Sequence, residues 1–435
     1  MHISCTIAWL AGSGMLLACG GGQSATVAST GGSLGNASAT PSRSPNASMS
    51  TSQCSGSVRS TAAPGGAPVR ARGLKVPSNL TISTIANVDG ARELAALPNG
   101  DLLVGTSGTN VYIVANAEGV GPAAAPRIFA AASDAPVAGV AFSQTHCTLF
   151  IASQHGIYST PYRDGDLVAR SMTKIASVRS GPVAPNSDGD VHITTSLAAT
   201  AAMLYAGVGS SCNACIEVDS TRATIQKMKF DGSSMSTRAT RIRNPIALAV
   251  DPVSQHLWTG DAGQDALPSG HPYEFLDDVS AHSGMPDYGW PECEEDHVAY
   301  TQGANCAYAI VPAVEFPAYS TLIGATFYPR GKAGTYNLGS EYAGDIFVAR
   351  HGSWHTPGGC NVAPEVDVVA MRGDTPARSV DWNDPTTQWK PFVTGFQPGC
   401  AARTRIGRPT GIAVGSKGSL FIADDRSGNI YRVRP

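Results

Sequence analysis

The sequence predicts an all-β protein, a six-bladed β-propeller that follows an export signal and a disordered linker. The composition is the first reason: glycine (48) and proline (29) are abundant and only 14% of the 435 residues are charged, as expected of many short strands joined by tight turns. The second reason is that long amphipathic helical patterns are absent beyond the first twenty residues. The third is a strand–turn–strand pattern that recurs six times.

The first nineteen residues are predicted to be a lipoprotein-type signal peptide. Residues 7–17 are apolar but too short to span a bilayer, and the segment ends in Leu16, Leu17, Ala18 and Cys19. This ending resembles the bacterial lipobox, in which the cysteine becomes the lipidated first residue; a plain secretory signal cleaved nearby is the alternative. Both predict export. The lipobox also predicts a location in the bacterial cell envelope, on the periplasmic side or at the outer membrane, with the lipid anchor as the sole contact with the membrane.

Residues 20–72 are predicted to form a flexible linker. They consist mainly of Ser, Thr, Ala, Gly and Pro, with hardly any large apolar side chain. Such a segment buries too little surface to offset the entropy that it loses on ordering. The propeller is therefore predicted to occupy residues 73–435.

Ten cysteines fit an exported protein. Cys5 leaves with the signal and Cys19 takes the lipid, and the even number that remains favours disulfides in an oxidising compartment. Close spacing favours Cys293 with Cys306 and Cys212 with Cys215, and elimination leaves Cys360 with Cys400 and Cys54 with Cys147. The alternative for the Cys212-Asn213-Ala214-Cys215 motif is a redox-active pair, although no thioredoxin-like βαβ pattern surrounds it.

Six copies of one pattern organise the rest of the chain. Each begins with a short apolar strand, passes a turn rich in Gly, Pro, Asn or Asp, and continues in a strand that reads like LLVG or LFIA. The copies start at Arg92, Val137, Thr195, Pro245, Leu322 and Thr410, and the fifth copy is split and resumes at Gly344. Insertions are expected chiefly around residues 265–320 and 329–343.

Units too small to bury their own faces must stack, as in a propeller or an open β-solenoid. A solenoid has shorter and more regular periods, so the spacing favours the propeller. The last copy shows three obvious strands. A strand from residues 79–86 is predicted to complete that blade and so to remove the open edges.

Four polar positions flank the repeated strands. His192, the pair Arg243 and Asn244, and Arg408 precede the first strand of a copy, whereas Arg350 follows a second strand. In an antiparallel meander these positions lie at the same end, so they are predicted to converge on one rim. An imidazole suits a general base and guanidinium groups suit carboxylates or phosphates. For each residue alone, a local hydrogen bond or salt bridge is the alternative.

Five motifs carry a resemblance to a known family. RNPIALAVDP, LWTGDAGQD, DYGWPEC, HGSWH and GRPTGIAVGSKGSLFIADD occur in this order over roughly residues 80–434, and together they resemble the soluble PQQ-dependent glucose/sorbosone dehydrogenases. The resemblance implies a six-bladed propeller, in agreement with the repeats. It also implies that the protein uses PQQ and Ca²⁺ to oxidise a sugar or a related alcohol or aldehyde, and that an external acceptor takes the electrons.

The resemblance implies roles for individual residues as well. His192 matches the catalytic base, which takes the hydroxyl proton of the substrate while hydride passes to the Ca²⁺-bound quinone. Arg243 matches the catalytic arginine beside the reactive quinone carbonyl, and Asn244 matches a neighbouring cofactor contact. Arg350 and Arg408 lie where cationic residues meet the cofactor carboxylates.

The metal and substrate positions show departures from the family. Gly263 and Gln264 fall where two backbone carbonyls bind Ca²⁺; the family has Pro at the second position, but a backbone ligand tolerates a different side chain. The glucose-oxidising members position their substrate with a Gln and an Asp. Here the corresponding stretches read DAPVAGVAF and GVGSSCNAC, with Ser210 and Ser211 where the acid is expected. The resemblance therefore does not specify glucose.

Two functions without redox chemistry are the alternatives. A cell-surface propeller that only binds a ligand leaves His192 without a role. A Ca²⁺-dependent lactonase needs several Asp, Glu and Asn side chains at the channel mouth, whereas the marked positions are mainly basic. The formal net charge of −3 and the lack of a basic stripe argue against nucleic acid as a partner.

Overall fold

The computed structural model describes residues 54–55, 65–179, 192–267, 270–331, 334–354 and 359–435. The predicted signal peptide and most of the predicted linker lie outside these ranges. The described chain consists of strands, loops and three short 3-10 helices, Val279–Ala281, Ser340–Tyr342 and Ala402–Thr404, and none of these helices could cross a membrane. The predicted all-β class is confirmed.

The strands of the first half form three four-stranded sheets after two leading strands. The leading strands are β1 (Val69–Arg70) and β2 (Thr81–Asn87). Blade 1 contains β3 (Ala91–Ala96), β4 (Leu102–Thr106), β5 (Asn110–Val114) and β6 (Arg127–Ala131). Blade 2 contains β7 (Gly139–Ser143), β8 (Thr148–Ala152), β9 (Gly156–Pro161) and β10 (Thr173–Ser177). Blade 3 contains β11 (Thr195–Ala199), β12 (Leu204–Val208), β13 (Thr224–Met228) and β14 (Ser236–Thr240).

The second half adds three more blades and two small hairpins. Blade 4 contains β15 (Ala247–Val250), β16 (Leu257–Gly260), β17 (Glu274–Asp278) and β20 (Val314–Phe316), with the hairpin β18 (Cys293–Glu294) and β19 (Val298–Ala299) inserted. Blade 5 contains β21 (Leu322–Phe327), β22 (Ile346–Arg350), β23 (Glu365–Val369) and β26 (Trp389–Val393), with the hairpin β24 (Met371–Arg372) and β25 (Thr375–Pro376) inserted. Blade 6 contains β27 (Pro409–Val414), β28 (Leu420–Asp424) and β29 (Asn429–Arg434).

The ring is closed by strand β2, which the sequence predicted. β2 pairs antiparallel with β29, with Ile82 opposite Val433, and it becomes the outer strand of blade 6. β1 then pairs with β2, so that a strand lies inside the range 20–72 that was predicted as linker. The physical reason is that the outer edge of β2 offers unpaired backbone groups, which a preceding segment can satisfy.

The first strands of the six blades pack side by side around the axis. Their approach is close: a Cβ atom at Gly324 would lie 2.1 Å from the carbonyl oxygen of Thr410 in the next blade, and one at Gly411 would lie 2.3 Å from that of Arg92. Small residues in these strands therefore permit the ring. A cavity of 340 Å³ lies along the axis and is lined by the same strands.

Apolar side chains that alternate along each strand fill the spaces between successive blades. Between blades 4 and 5, for example, the buried Trp258 packs edge-on against Phe327 with ring centroids 6.0 Å apart. Each fully buried side chain of this size contributes roughly 1.5–3 kcal/mol. Every blade thus depends on two neighbours.

All four disulfides predicted from the sequence are present, namely Cys54–Cys147, Cys212–Cys215, Cys293–Cys306 and Cys360–Cys400. Cys5 and Cys19 lie outside the described residues.

Candidate functional site

The predicted site residues lie at one end of the propeller, the upper rim, where first strands start and second strands finish. His192 lies shortly before β11, and Arg243 and Asn244 lie shortly before β15. Backbone contacts join these segments to the loops after β12 and β16. The amide of Ser210 donates to the carbonyl of Arg243 at 2.7 Å, and the amide of Asn244 donates to the Asp261 carboxylate at 2.7 Å.

The imidazole of His192 is held through its Nδ1 atom. Nδ1 lies 3.0 Å from the carbonyl oxygen of Ser210 and 2.9 Å from its hydroxyl oxygen. A carbonyl oxygen can only accept, and the Ser210 hydroxyl donates its own proton to the carbonyl of Cys212 at 2.7 Å. Both contacts therefore require a proton on Nδ1. A neutral His192 then carries its basic lone pair on Nε2, as a general base requires.

The electrostatic surroundings keep His192 neutral. Burial lowers its pKa well below the ordinary histidine value, and the positive charge of Arg243 lowers it further. The hydrogen bond with Ser210 opposes the shift, and Arg222 adds to it. The imidazole is therefore uncharged, and able to accept a proton, at neutral pH.

Arg222 supports the His192 segment, and the sequence-based prediction missed it. The residue is 3% exposed. It donates from Nε to the carbonyl of Gly209 at 2.7 Å, and from Nη2 to the carbonyls of Ser210 at 2.8 Å and His192 at 3.2 Å. Because these partners are backbone atoms and Arg222 precedes a third strand, no recurring side-chain pattern marks it.

Arg243 is held between two loops. The side chain is buried, and its Nη1 atom donates to the carbonyl of Ala262 at 2.8 Å. Nε donates to the carbonyl of Asn213 at 3.0 Å, and Nη2 donates to the Asn213 side-chain oxygen at 2.9 Å. Nη2 also lies 3.4 Å from the Asp265 carboxylate. The guanidinium group is thereby fixed at the start of blade 4.

Three buried acids act on Arg243, although the sequence indicated a mainly basic site. They are Asp261, Glu274 and Glu294. Burial raises the pKa of Asp261 to about 6 and raises the pKa values of Glu274 and Glu294 well above the ordinary range, while Arg243 opposes each shift. Burial thus favours the neutral form of the two glutamic acids, whereas the charge of Arg243 favours their ionised form.

The loop at Gly263 and Gln264 suits a cation with oxygen ligands. Within the described part of the chain, neither backbone carbonyl accepts a hydrogen bond. The Gln264 side chain is occupied, since its amide group donates to Glu294 at 2.6 Å and to the carbonyl of Pro291 at 3.2 Å. Carbonyl oxygens are ligands that Ca²⁺ accepts.

Among the described residues, one group of three His, Cys, Asp or Glu side chains lies close enough together to share a metal ion. It consists of Cys212, Cys215 and Glu217. The two sulfurs are bonded to each other, so they are not available as thiolate ligands. A calcium site on the upper rim would therefore depend on the backbone oxygens of the Gly263 loop.

A second group of side chains lies on the upper rim at blades 5, 6 and 1. Its centre is Asp425, which accepts from Arg92 at 2.8 Å and from Nε2 of His351 at 2.9 Å. Arg408 donates from Nε to the carbonyl of His351 at 3.0 Å and from Nη2 to that of Gly352 at 2.7 Å. The sequence indicated Arg408, but not Arg92 or Asp425.

The pKa values of three residues in this second group, Arg408, His351 and Asp425, depart strongly from their ordinary values. Burial lowers the pKa of Arg408 to about 10, so it stays cationic at pH 7. Burial also lowers the pKa of His351 to about 4. For Asp425, burial favours the neutral acid, but His351, Arg92 and Arg408 outweigh it and keep the pKa of that carboxyl below its ordinary value. One carboxylate thus faces two arginines, and the group carries net positive charge.

The two groups share a structural device. The amide of Asn244, before β15, donates to Asp261, and the amide of Arg408, before β27, donates to Asp424 at 2.9 Å. In both blades an aspartate at the end of the second strand holds the start of the first. The WTGD and FIADD motifs carry this signal, which the sequence-based prediction did not use.

Arg350 is placed differently from the other predicted residues. Its guanidinium group pairs with Glu365 and with Asp367, whose carboxylate lies 2.5 Å from Nε, and it stacks over the ring of Trp389 at 4.4 Å. These partners belong to the third and fourth strands of its own blade. A cofactor contact for Arg350 stays a prediction, because its charge is already matched within blade 5.

Comparisons with known proteins support the fold. A family model described as TrAA12-like matches residues 293–435. The holo form of the pyranose dehydrogenase PQQ domain from Coprinopsis cinerea has a TM-score of 0.68 and 15% identity, and the alignment covers 86% of this chain and 100% of that one. The calcium structure of a Trichoderma reesei protein of Carbohydrate-Active Enzymes Family AA12 has a TM-score of 0.68 and 17% identity, and covers 87% of this chain and 98% of that one.

Two further relatives are similar over different lengths. The PQQ-bound aldose sugar dehydrogenase from Streptomyces coelicolor has a TM-score of 0.53 and 16% identity, with coverage of 83% of this chain and 99% of that one. An uncharacterized protein from Borreliella burgdorferi is 26% identical over 235 residues, 53% of this chain and 56% of that protein. This chain therefore spans little more than half of that relative. The likeness to soluble PQQ-dependent sugar dehydrogenases, predicted from the five motifs, is confirmed for the fold.

Proposed function

We propose that this protein is a PQQ-dependent oxidoreductase of a sugar or a related alcohol or aldehyde, with His192 as the general base. The observation that carries the proposal is the Nδ1–H form of His192, which Ser210 imposes and which leaves Nε2 as the basic atom beside the cationic Arg243. The likeness of the fold to the holo form of a pyranose dehydrogenase PQQ domain and to the PQQ-bound form of an aldose sugar dehydrogenase supports it.

Charged and carbonyl groups on the upper rim support the proposed binding of PQQ and Ca²⁺. PQQ carries three carboxylates, and Arg243, Arg408 and Arg92 place positive charge on opposite sides of the rim. The carbonyls of Gly263 and Gln264 are oxygen ligands for Ca²⁺. When bound, PQQ supplies a quinone that accepts hydride and Ca²⁺ polarises its oxygen. Arg350 is not required for this set, since it is paired within blade 5.

The residues of the chain supply the proton chemistry and the orientation. Nε2 of His192 takes the proton of a substrate hydroxyl, and the carbonyl of Ser210 then stabilises the imidazolium by accepting from Nδ1–H. Arg243 disfavours that charge in the resting site, so the base stays ready at neutral pH. Loss of this proton, together with a hydride from the carbon that bears the hydroxyl, converts the hydroxyl to a carbonyl.

Substrate, electron acceptor and location follow as parts of the proposal. Ser210 and Ser211 stand where the glucose-oxidising members of the resembling family place an acid, so the proposal names a sugar-like substrate and does not specify glucose. The electrons pass to an external acceptor. Export, with lipid attachment at Cys19 in the cell envelope, stays a prediction from the sequence.

The proposal is tested by adding PQQ and Ca²⁺ to the purified protein. We expect quenching of tryptophan fluorescence with a Kd of about 1 μM or below. We also expect reduction of a redox dye with a panel of aldoses, which depends on both additions and is lost on chelation by EDTA. His192→Ala should bind PQQ normally and turn over no substrate.

Two other results would contradict the proposal. Hydrolysis of lactones with Ca²⁺ alone would favour a lactonase. Binding of sugars with neither PQQ binding nor dye reduction would favour a binding module.

A further inference from the structure

The disulfide Cys212–Cys215 closes a four-residue ring directly after the second strand of blade 3. Cys212 is 2% exposed and packs with Ala223 and Trp290. The ring presents Asn213 towards blade 4. A bond across so short a segment removes little entropy from the unfolded chain, so its main effect is on local order.

Asn213 makes four hydrogen bonds to two segments of the candidate site. Its backbone carbonyl accepts from Arg243 Nε at 3.0 Å, and its side-chain oxygen accepts from Arg243 Nη2 at 2.9 Å. The same side-chain oxygen accepts from the amide of Asp265 at 2.8 Å, and the side-chain amide donates to the carbonyl of Asp265 at 2.9 Å. The Asn213 side chain thus satisfies both backbone groups of Asp265 and one donor of Arg243, and its backbone carbonyl satisfies a second donor of Arg243.

The position of Asp265 makes these contacts functionally relevant. Asp265 directly follows Gly263 and Gln264, so its backbone sets where their carbonyls lie. Arg243 precedes β15 on another segment. Asn213 therefore joins the arginine to the carbonyl loop, from a neighbouring blade. The guanidinium group also contacts the carbonyl loop directly, through the hydrogen bond to the carbonyl of Ala262 and the 3.4 Å pair with Asp265.

We propose that Asn213 is a positioning residue for Arg243 and for the Gly263–Gln264 carbonyls, and that the Cys212–Cys215 disulfide holds it in place, so that the site depends on the oxidised state of this bond. Reduction by a dithiol, which is itself oxidised to a disulfide, adds two electrons and two protons and gives two thiols, with Asn213 released. The consequence for catalysis rests on the proposed function; the positioning does not.

Two substitutions at Asn213 separate positioning from loop stability. Asn213→Leu keeps the side-chain size but removes the three side-chain hydrogen bonds and leaves the backbone carbonyl that accepts from Arg243 Nε. Asn213→Asp keeps the side-chain acceptor for Arg243 and for the Asp265 amide. For Asn213→Leu we expect PQQ affinity in the presence of Ca²⁺, and kcat, each to fall about tenfold or more, with the KM for sugar changed less than about twofold, because charge-assisted hydrogen bonds are lost on the cofactor side. Asn213→Asp should recover most of both losses.

Amide hydrogen exchange provides a measurement that needs no cofactor. In Asn213→Leu the Asp265 amide should exchange at least about tenfold faster than in the wild type, because its acceptor is gone. An unchanged exchange rate would overturn the positioning role. If the wild type binds no PQQ and the Asp265 amide still exchanges faster in Asn213→Leu, the proposed function is refuted and the positioning role is kept.

The disulfide has a matched control at the other end of the propeller. Cys212→Ser/Cys215→Ser should reproduce the faster exchange at Asp265 and the weaker PQQ binding of Asn213→Leu, with a small change in Tm. Cys54→Ser/Cys147→Ser removes a bond that spans 93 residues, so it should lower Tm more and leave PQQ affinity unchanged. Equal PQQ affinity in both double variants and the wild type would refute the dependence on the Cys212–Cys215 bond.

Discussion

The proton on Nδ1 of His192 faces neutral acceptors, the carbonyl and hydroxyl of Ser210. A carboxylate at this place would stabilise the imidazolium more strongly and raise the pKa of the base. Burial and Arg243 instead lower the pKa of His192. His192 therefore stays neutral over a wide pH range, but Ser210 stabilises its imidazolium form less than a carboxylate would.

Replacing the Ser210 hydroxyl tests this arrangement. Ser210→Ala removes one acceptor for Nδ1–H and leaves the carbonyl, so we expect kcat to fall about five- to tenfold, as for the loss of one hydrogen bond of about 1 kcal/mol. Steady-state dye reduction measures it, and PQQ affinity should be unchanged. A variant with wild-type kcat would show that the hydroxyl has no part in orienting the base.

Glu93 is the other residue whose protonation matters, and it lies in the axial channel. Its Oε2 atom accepts from the amides of Val140 at 3.0 Å and Leu197 at 3.2 Å, so it links the first strands of three blades. Its Oε1 atom is buried without a hydrogen-bond partner among the described residues. Burial raises the pKa of Glu93 to about 8, against the hydrogen bonds and Arg92, which lower it.

This shift predicts a pH-dependent stability. Between the ordinary value of 4.5 and about 8, folded Glu93 keeps its proton while the unfolded chain loses it. The free energy of unfolding therefore falls as pH rises through this window, by at most roughly 1.4 kcal/mol per pH unit from this group. Glu93→Gln keeps an acceptor and cannot ionise, so its stability should exceed that of the wild type increasingly from pH 5 to pH 8.

Urea unfolding at pH 4.5, 6 and 8 measures the difference between Glu93→Gln and the wild type. The two proteins should be closest at pH 4.5, where folded Glu93 is neutral and unfolded Glu93 is only half ionised. A constant difference across the three values would show that Glu93 does not ionise abnormally.

At the scale of the strand, alternation explains the placement of Arg350. In β22, Phe347 and Ala349 face blade 6, whereas Ile346 and Val348 face blade 4. Arg350 has the parity of Ile346 and Val348, so its side chain lies on the blade 4 side, where it meets Asp367 and Trp389. A buried ion pair of this kind is costly to break from one side.

Arg350→Ala should therefore act on stability. Removing the guanidinium group leaves Asp367, which is 0% exposed, without its partner, and we expect a loss of about 3–5 kcal/mol in the free energy of unfolding. Adding Asp367→Asn should recover part of that loss. If Arg350 instead binds a cofactor carboxylate, PQQ affinity should fall equally in Arg350→Ala and in Arg350→Ala/Asp367→Asn.

At the scale of the whole molecule, the ring is closed by noncovalent pairing of a strand near the start of the described chain with β29. Ile82 and Val433 lie in one core cluster with side chains of blade 5. On the lower face, the buried Glu118 of blade 1 accepts from the amides of Lys417 at 2.6 Å and Ser419 at 2.9 Å in blade 6. Blade 6 thus contacts both neighbours through buried groups.

Removing the closing strand tests the ring. A chain that starts at residue 88 exposes the edge of β29, and we expect aggregation and loss of a cooperative unfolding transition. A chain that starts at residue 65 keeps β1 and β2. Both should carry Cys147→Ser, so that they lack the same disulfide. Size-exclusion chromatography and thermal unfolding compare them, and a monomeric, cooperative shorter chain would contradict the role of β2.

The amino-acid sequence by itself determined the class, the number of blades and the closing strand, and it favoured the four disulfide pairings that the structure contains. It could do so because strand periodicity and turn residues are local, and because a repeated unit reports its neighbours. The same repetition placed His192, Arg243, Asn244 and Arg408 at one end, since strand starts coincide in an antiparallel meander. The sequence did not predict the hydrogen-bond partners of these four residues.

The tertiary structure decided which groups meet on that rim. Arg92 reaches Asp425 across 333 residues, and Arg222 supports His192 through backbone carbonyls that carry no sequence signal. The tertiary structure also placed the Arg350 side chain against strands of its own blade. Alternation along a strand fixes that successive side chains point to opposite faces, but only packing decides which face each side chain takes. Local pattern sets where a residue lies along a strand, whereas hydrogen bonding and burial between distant segments set its charge and its chemistry.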